Sequence, residues 1–479
     1  MAAELAVLPD DVLLEVLQRL PLHSLAACRW VCKAWRDIIY GRLRSRLLSP
    51  SVRGIFINYV IYSVSEFFSR PSAGPAICGG LDFLSCEGVE VRDHCNGLLL
   101  CTDWEDESWY VVNPATQGWA RLPQRPPPHM QGLDQTAFLA FDQIMSPHYK
   151  VYLIPCVPYG ELGDNMLPEA EWPPASHVMH VFSSMTERWD KKTFLRQGEA
   201  AGVVADMASS RSWYKNYHAV YWRGALYIHC QCDFVMRMCL SSYKYQVIKK
   251  PHQFGLYPSA HLGRSVKGVY CAIFHTRHGL QLWHLDESSC GQIKWVLKHD
   301  TNLASFDKKI HLDGDDNYAQ QMDKQWVLQD VNYRRVGSDF GYEPHRCENW
   351  VAPTEEKFEW NSDDDNILDI EHAAEGRWSG YIGYLGFHPY REVVFLTLAL
   401  DGAVAYDWNS SKFQYLGRIL PKDYQEIAMQ CAGIDTCFPY TPCWMHEFPR
   451  KSSESQLEAD EQLSGNSLES QVQPDLHFT

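Results

Sequence analysis

The amino-acid sequence predicts a short helical segment at the N-terminus, followed by a large all-β domain built from repeats. Residues 8–46 carry apolar side chains at helical spacing, whereas the chain from Val52 onward consists of short β-like runs broken by Gly, Pro, Asn and Asp. A hairpin pattern recurs through this second region. The chain also contains 17 Trp, 25 Tyr and 20 Phe, which favours β structure over helix bundles.

Three short helices are predicted in the N-terminal segment. Pro21 ends the first, a second opens near Ser24, and a third follows from about Lys33. Six of the ten residues from 11 to 20 are aliphatic, which is more than one apolar stripe facing a small core requires. A bundle of this size buries little surface by itself. We therefore expect the surplus side chains to pack on another protein, or alternatively on the rest of this chain.

Five stretches fit one hairpin template: an apolar strand that ends in a small polar residue, a Ser or Thr three residues later, and an aromatic residue six residues later. The strand-ending residues are Asn113, Ser183, Cys239, Asp286 and Asp407, and the fourth unit delays its aromatic residue to Trp295. The polar side chain can bond the turn backbone, and the aromatic side chain returns onto the neighbouring strand. Each unit is therefore predicted to be the outer hairpin of a small antiparallel sheet.

The spacing of the hairpins predicts how many sheets there are. The interval from Asp286 to Asp407 is the longest, and it has room for one degenerate unit beside an acidic insertion. Five visible units and one hidden unit predict a β-propeller of about six blades. Five or seven blades, and a β-sandwich, remain as alternatives.

The sequence divides into four predicted parts: a helical segment at 1–46, a linker with the first strands at 47–90, the β domain at 91–449 and a tail at 450–479. Within the β domain, residues 300–372 hold seven basic and eighteen acidic side chains, which is typical of a solvated insertion. The tail is rich in Ser, Glu and Gln and is predicted to be disordered.

Composition narrows the possible partners and compartments. The net charge of −16 argues against a general nucleic-acid binder. The chain contains no stretch of 18 or more uncharged apolar residues, so no membrane-spanning helix is predicted. The N-terminus lacks the basic region of a signal peptide, so we expect the protein in the cytoplasm, the nucleus or both.

The 16 cysteines are predicted to be free thiols. Their spacing does not match a metal site, and the sequence has no export signal that would favour disulfide bonds.

No catalytic, cofactor-binding or metal-binding residue is predicted. The chain has no G-x-S-x-G, P-loop, G-x-G-x-x-G or H-E-x-x-H motif. His177 and His180 are better explained as residues of an edge strand than as metal ligands, because no third ligand is near in sequence. The acidic run at 363–365 is better explained as a solvated loop than as a cation site, because it lacks the Gly and Glu of a calcium loop.

The N-terminal segment resembles an F-box along its length. The resemblance rests on Leu8-Pro9, Leu20-Pro21, Ser24-Leu25, Val31-Cys32-Lys33 and Trp35-Arg36, in that order. The β region is similar to the F-box-associated domain of plant F-box proteins, which is a kelch-like propeller. The stretches that carry this similarity include Cys95–Leu99, Asn113–Thr116, Ala225–Tyr227, Leu385–Pro389 and Val404–Asp407.

The resemblance implies a small three-helix F-box joined to an all-β, kelch-like propeller, acting as the substrate-recognition subunit of an SCF-type cullin–RING E3 ubiquitin ligase. The F-box would dock on a Skp-family adaptor, and through it on cullin and RING subunits, while the propeller would hold an unidentified protein substrate. Neither nucleic acid, membrane nor cofactor is implied. The residues that match the adaptor-facing motif are Leu8, Pro9, Leu13, Leu20, Pro21, Leu25, Val31 and Trp35.

Two other classes of function remain open. The first is an F-box protein that binds the adaptor but works as a scaffold outside a ligase. The second is a propeller enzyme of the galactose-oxidase kind, whose copper chemistry would need an assembled site of Tyr, His and Cys side chains.

Overall fold

A computed structural model describes most of the β region and part of the N-terminal segment. The described residues are 9–20, 24–25, 28, 31–43, 51–62, 64–70, 77–84, 86, 88–143, 145–160, 166–209, 219–251, 259–287, 293–303, 326–329, 331–332, 367–368, 382–398, 402–422, 424–428, 431–444 and 448. The chain divides into two compact units, Met1–His446 and Glu447–Thr479, and all helices and strands described lie in the first. Most of the acidic segment and the whole of the tail at 450–479 lie outside the described residues.

Two helices of the N-terminal segment are described in full. Helix α1 spans Asp10–Arg19 and α2 spans Lys33–Arg42, and Ser24, Leu25 and Cys28 between them are helical. Asp10 and Asp11 occupy the first turn of α1, where the helix dipole favours acidic side chains. Two short helices, α3 at Val204–Ser209 and α4 at Tyr424–Ala428, lie in the β region. None of the described helices is long and apolar enough to cross a membrane.

The rest of the described fold is mostly β-strand. In chain order the strands are β1 Gly54–Tyr59, β2 Glu66–Ser69, β3 Val89–Cys95, β4 Leu98–Asp103, β5 Trp109–Asn113, β6 Gly118–Arg121, β7 Asp134–Ala140, β8 Lys150–Cys156, β9 Glu171–Trp172, β10 Ser176–Ser183, β11 Arg188–Gln197, β12 Gly202–Val203, β13 Ala219–Trp222, β14 Ala225–His229, β15 Phe234–Cys239, β16 Lys244–Lys249, β17 Ser259–Ser265, β18 Gly268–Phe274, β19 Gly279–Asp286, β20 Lys294–Asn302, β21 Val327–Leu328, β22 Ile367–Leu368, β23 Ile382–Phe387, β24 Val393–Leu398, β25 Gly402–Asp407, β26 Lys412–Arg418 and β27 Ile434–Tyr440.

Twenty-four of the 27 described strands fall into six antiparallel groups of four, and a parallel pairing of β11 with β16 joins two of these groups into one eight-stranded sheet. Five groups follow the chain: β3 to β6; β7, β8, β10 and β11; β13 to β16; β17 to β20; and β23 to β26. The sixth, which we call the closing sheet, has the order β21-β2-β1-β27. One end strand of each group contacts end strands of other groups: β3 contacts β7, β13 and β27, β17 contacts β13 and β23, and β23 contacts β27. We call these six strands the ring strands.

The apolar core lies between successive groups. One cluster joins the closing sheet to β3–β6 through Phe56, Phe67, Leu99 and Val112 among others, and four similar clusters join successive groups from β7–β11 through β13–β16, β17–β20 and β23–β26 to the closing sheet. The ring of Phe56 lies 4.4 Å from that of Phe67 and meets the ring of Tyr440 edge-on at 5.6 Å. Every group thus buries apolar side chains against its neighbours.

The predicted hairpin units are confirmed as outer hairpins, because each of the five joins the third and fourth strands of its group. The hydrogen bonds and the aromatic contact predicted for the turns are also found. Asn113 Oδ1 accepts a hydrogen bond from Ala115 N–H at 3.1 Å, and Asp407 Oδ1 accepts from Asn409 N–H at 2.9 Å. The returning Phe413 stacks on Tyr406, with ring centroids 4.2 Å apart.

The predicted hidden unit between Asp286 and Asp407 falls mostly on residues outside the described part of the chain. The closing sheet takes β1 and β2 from one end of the β region and β27 from the other. Its fourth strand, β21, comes from the acidic segment, where Trp326 packs on Phe68 with ring centroids 5.3 Å apart. Part of the segment that was predicted to be solvated therefore completes a sheet.

Candidate functional site

Helix α1 divides its aliphatic residues between a buried and an exposed side. Leu13 and Leu17 are buried, with 3% and 0% of their surfaces accessible, whereas Val12 and Val16 remain 45% and 48% accessible. Residues four apart lie on the same helix face, so Val12 and Val16 form one exposed aliphatic surface. We call these two residues the aliphatic pair.

The buried side of α1 belongs to the core of the helical segment. Ile38 and Ile39 of α2 and the following Leu43 are also buried. Between the helices, Arg42 Nη1 lies 3.3 Å from Asp11 Oδ1, but both side chains are largely exposed. Exposed ion pairs contribute little to stability, so apolar burial holds the two helices together. The aliphatic pair does not take part in this packing and stays exposed.

The structure separates the residues that match the adaptor-facing motif into three sets. Pro9 and Val31 are exposed, Leu20 and Trp35 are half-buried, and Leu13 and Leu25 are buried, while Leu8 and Pro21 lie outside the described residues. The aliphatic pair was not in the predicted set. Helical phase alone does not single it out, because Val16 is three residues from Leu13 and is its neighbour on the helix surface.

A second candidate site is a cavity of about 80 Å³ at the centre of the β region. Its wall comes from five of the ring strands and includes Asp93, His94, Asn96, Arg264 and Phe387. Arg264 Nη1 donates a hydrogen bond to Asn96 Oδ1 at 2.9 Å. No sequence pattern pointed to this site, because its residues meet only when the ring closes.

Burial changes the charge of two side chains in this wall. It raises the pKa of Asp93 to about 7, although the carboxylate accepts a hydrogen bond from Leu139 N–H at 2.7 Å. Burial, together with the nearby Arg264 guanidinium, lowers the pKa of His94 to about 4. Near neutral pH, His94 is therefore uncharged, and Asp93 is partly protonated. Among the described residues of the wall, Arg264 carries the full positive charge.

The histidines singled out in the sequence do not assemble a metal site. Within the described part of the chain, no three His, Cys, Asp or Glu side chains lie close enough to hold a metal ion. The described cysteines are free thiols, as predicted. The predicted edge position of His177 and His180 is wrong, because their strand β10 pairs with β8 on one side and with β11 on the other.

The imidazole of His177 is buried without a hydrogen-bond partner on either ring nitrogen. It lies against Trp172 and Tyr245, with ring centroids 5.5 and 6.1 Å away. Burial lowers the pKa of His177 to about 3. Because an unfolded histidine has a pKa of about 6.5, the unfolded chain takes up a proton below that pH while the folded chain does not. Stability is therefore lost as the pH falls from about 6.5 towards 3.

We expect His177→Leu to stabilise the β region by about 1–2 kcal/mol at pH 7.5, because it removes two unsatisfied polar atoms from the core. At pH 5 the gain should be about 2 kcal/mol larger, since the proton uptake of the unfolded histidine is also removed. Urea unfolding at both pH values measures this. The control is His148→Leu, whose parent side chain is exposed. A loss of stability in the buried variant at both pH values would contradict the prediction.

The N-terminal segment is similar to a known family. The F-box-like family matches residues 5–48. An F-box protein of Arabidopsis thaliana is 30% identical over 121 residues, which cover 25% of this chain and 33% of that protein. A putative F-box/kelch-repeat protein of the same plant is 24% identical over 327 residues, which cover 62% of this chain and 73% of that protein.

The curated relatives with the higher identities match over limited lengths, and the chain spans about a third of each of the first three. Among solved structures, YCF48 from Cyanidioschyzon merolae shares 8% identity, with a TM-score of 0.30 and coverage of 76% of this chain and 85% of that one. The Cps50 (Swd1) β-propeller domain of Myceliophteria thermophila shares 7% identity, with a TM-score of 0.28 and coverage of 76% and 89%. These TM-scores are too low to carry an argument about the fold. Residues 5–48 thus match the F-box-like family, and the chain is similar to plant F-box proteins and to putative F-box/kelch-repeat proteins.

Proposed function

We propose that this protein is the substrate-recognition subunit of an SCF-type cullin–RING E3 ubiquitin ligase. In this role the F-box-like segment docks on a Skp-family adaptor, and the adaptor connects it to cullin and RING subunits. The observation that carries the proposal is the coincidence of the F-box-like match at 5–48 with a helix that leaves Val12 and Val16 exposed. An apolar surface that its own core does not use is typical of a protein interface.

The β region is, in this proposal, a six-bladed propeller that binds a protein substrate. Six groups of four strands, ring strands in contact with one another and a closing sheet made from distant parts of the chain support this arrangement. Sharing the last sheet between the two ends of the β region closes the ring, and a closed ring of this kind leaves only short, protected sheet edges. The predicted boundaries, with the F-box at 1–46 and the propeller at 91–449, then change in one respect: β1 and β2 also belong to the propeller.

The role proposed for the chain is not catalytic. A receptor subunit accelerates ubiquitin transfer by holding the substrate close to the ligase, which raises its effective concentration. No side chain of this protein then has to act as acid, base or nucleophile. We place this activity in the cytoplasm, the nucleus or both. The alternative is a scaffold that binds the adaptor without joining a ligase.

Co-purification distinguishes the receptor from the scaffold. The full chain, expressed in plant cells with proteasome activity inhibited, is captured and probed for adaptor and cullin. We expect both to be recovered with the full chain and neither with a variant lacking residues 5–48. Recovery of adaptor without cullin would support the scaffold, and recovery of neither with the full chain would overturn the proposal.

A further inference from the structure

We propose that the central cavity binds a carboxylate group, with the guanidinium of Arg264 as its anchor. The cavity lies at the C-terminal ends of several ring strands, where Asn96, Arg264, Phe387 and Thr441 are found. This inference goes beyond the receptor role, since it concerns a ligand site in the β region and does not depend on the F-box-like segment.

Most of the hydrogen-bonding capacity of Arg264 is unused by the protein. A guanidinium has five N–H donors, and the structure gives Arg264 one hydrogen bond, to Asn96 Oδ1 at 2.9 Å. Its guanidinium carbon also lies 5.7 Å from the ring centroid of Tyr390. In the described part of the chain, no carboxylate forms an ion pair with it. A cation on a cavity wall without an acidic partner is suited to an anionic ligand.

Asn96 holds the guanidinium in place. It has a φ of +47° and precedes Gly97, whose φ is +87°, so the two residues make the tight turn between β3 and β4. A side chain at Gly97 would collide with Thr441 O and with Cys443, both 2.6 Å from where its Cβ would lie. Asn96 Nδ2 donates to Phe141 O at 2.6 Å, which aims Oδ1 at Arg264. A fixed guanidinium loses less entropy when it binds a ligand.

The charge of the wall favours a singly charged anion. Near pH 7 His94 is uncharged and Asp93 is partly ionised, so the wall carries a net positive charge of less than one, and a ligand with a single negative charge matches it better than one with two. The planar fork of a guanidinium pairs with both oxygens of a carboxylate. A phosphate dianion would bring a second charge that no described side chain of the wall compensates.

The size and lining of the cavity limit the ligand further. Val220, Leu262, Phe387 and Phe438 provide apolar contacts. A volume of about 80 Å³ is smaller than the roughly 150 Å³ of an engineered cavity that takes up benzene. The cavity therefore fits a carboxylate with a few carbon atoms. That group can be a small free acid or the C-terminal end of a peptide whose remaining residues lie outside.

Two probes separate these sources in the full-length protein. The first is propionate, followed by ligand-observed NMR. The second is a fluorescein-labelled peptide of Gly and Ser that ends in Ala with a free carboxylate, followed by fluorescence polarisation beside the same peptide with a C-terminal amide. Arg264→Gln removes the anchor, and Arg223→Gln is the matched control, because Arg223 lies over Trp222 and does not line the cavity.

We expect at least one carboxylate probe to bind, Arg264→Gln to weaken it at least tenfold, and Arg223→Gln to leave it unchanged. Binding of propionate alone identifies a free acid, and binding of the carboxylate peptide but not of its amide identifies a chain terminus. Failure of both probes, or equal binding by Arg264→Gln, overturns the proposal. If Arg264→Gln does not fold, Arg264→Lys is tested in its place. Lysine keeps the positive charge but lacks the planar guanidinium that pairs with both carboxylate oxygens, so it should weaken probe binding severalfold. Unchanged affinity of Arg264→Lys for the probes would also overturn the proposal. Adaptor binding is measured for every variant as well. If it is retained, a loss of carboxylate binding reports on the cavity alone and not on the proposed receptor role.

Discussion

Replacing Val12 and Val16 together with aspartate is expected to weaken binding of a Skp-family adaptor at least a hundredfold. About half of each side chain is accessible, at 45% and 48%, so burying the remainder against a partner is worth about 1 kcal/mol per valine. Each aspartate would also have to lose water at an apolar surface, which costs at least a further 1 kcal/mol or so. A hundredfold loss corresponds to about 2.7 kcal/mol. Surface plasmon resonance with purified adaptor measures it.

The matched control is Gln18→Asp. Gln18 is exposed on α1 and lies about 200° around the helix from Val16, so it adds one of the two negative charges of the double variant on a different side. We expect the control to bind within about threefold of the parent protein. Leu13→Asp is not equivalent, because Leu13 is buried in the helical segment and a charge there would unfold it. Parent-like affinity of the double valine variant would exclude the outer side of α1 as the adaptor surface.

The position of the first helix could be predicted from the sequence, but the division of its apolar residues could not. The pattern placed it at 11–20, and the structure has it at Asp10–Arg19. When six of ten residues are aliphatic, the helix has no clear apolar stripe. The direction of α2 then decides which residues are buried. Leu13 and Leu25, which match the adaptor-facing motif, are buried, while Val12 and Val16 are exposed.

The outer hairpins were predictable because everything that forms them is local. A strand, a polar turn residue and a returning aromatic residue lie within about ten positions, and hydrogen bonds of the turn fix their geometry. The closing sheet has no such local signal. Asn58 on β1 donates to Thr436 Oγ1 on β27 at 2.7 Å, across 378 positions of sequence. The same limit applies to the cavity, where Arg264 and Asn96 are 168 positions apart.

Replacing Glu66 with alanine is expected to lower the free energy of unfolding of the β region by about 3–5 kcal/mol, because it leaves several buried donors without an acceptor. Glu66 is 0% accessible on β2 of the closing sheet. Its carboxylate accepts hydrogen bonds from Val331 N–H at 2.6 Å and from Asn332 N–H and Nδ2 at 2.8 Å each. Both partners belong to the acidic segment, so this side chain fixes residues 331–332 beside β21.

Glu66→Gln is the control that separates the acceptor from the shape of the side chain. The amide keeps the volume and one acceptor oxygen but loses the charge, so we expect a loss of about 1–2 kcal/mol. Urea unfolding followed by tryptophan fluorescence measures both variants, and Trp326, which packs on Phe68, makes the signal sensitive to release of the acidic segment. In Glu66→Ala, proteolysis within 326–332 should also become faster than in the parent protein. Equal stability of Glu66→Ala and the parent protein would mean that the acidic segment does not hold the closing sheet, and that β27 with β1 and β2 closes the ring without it.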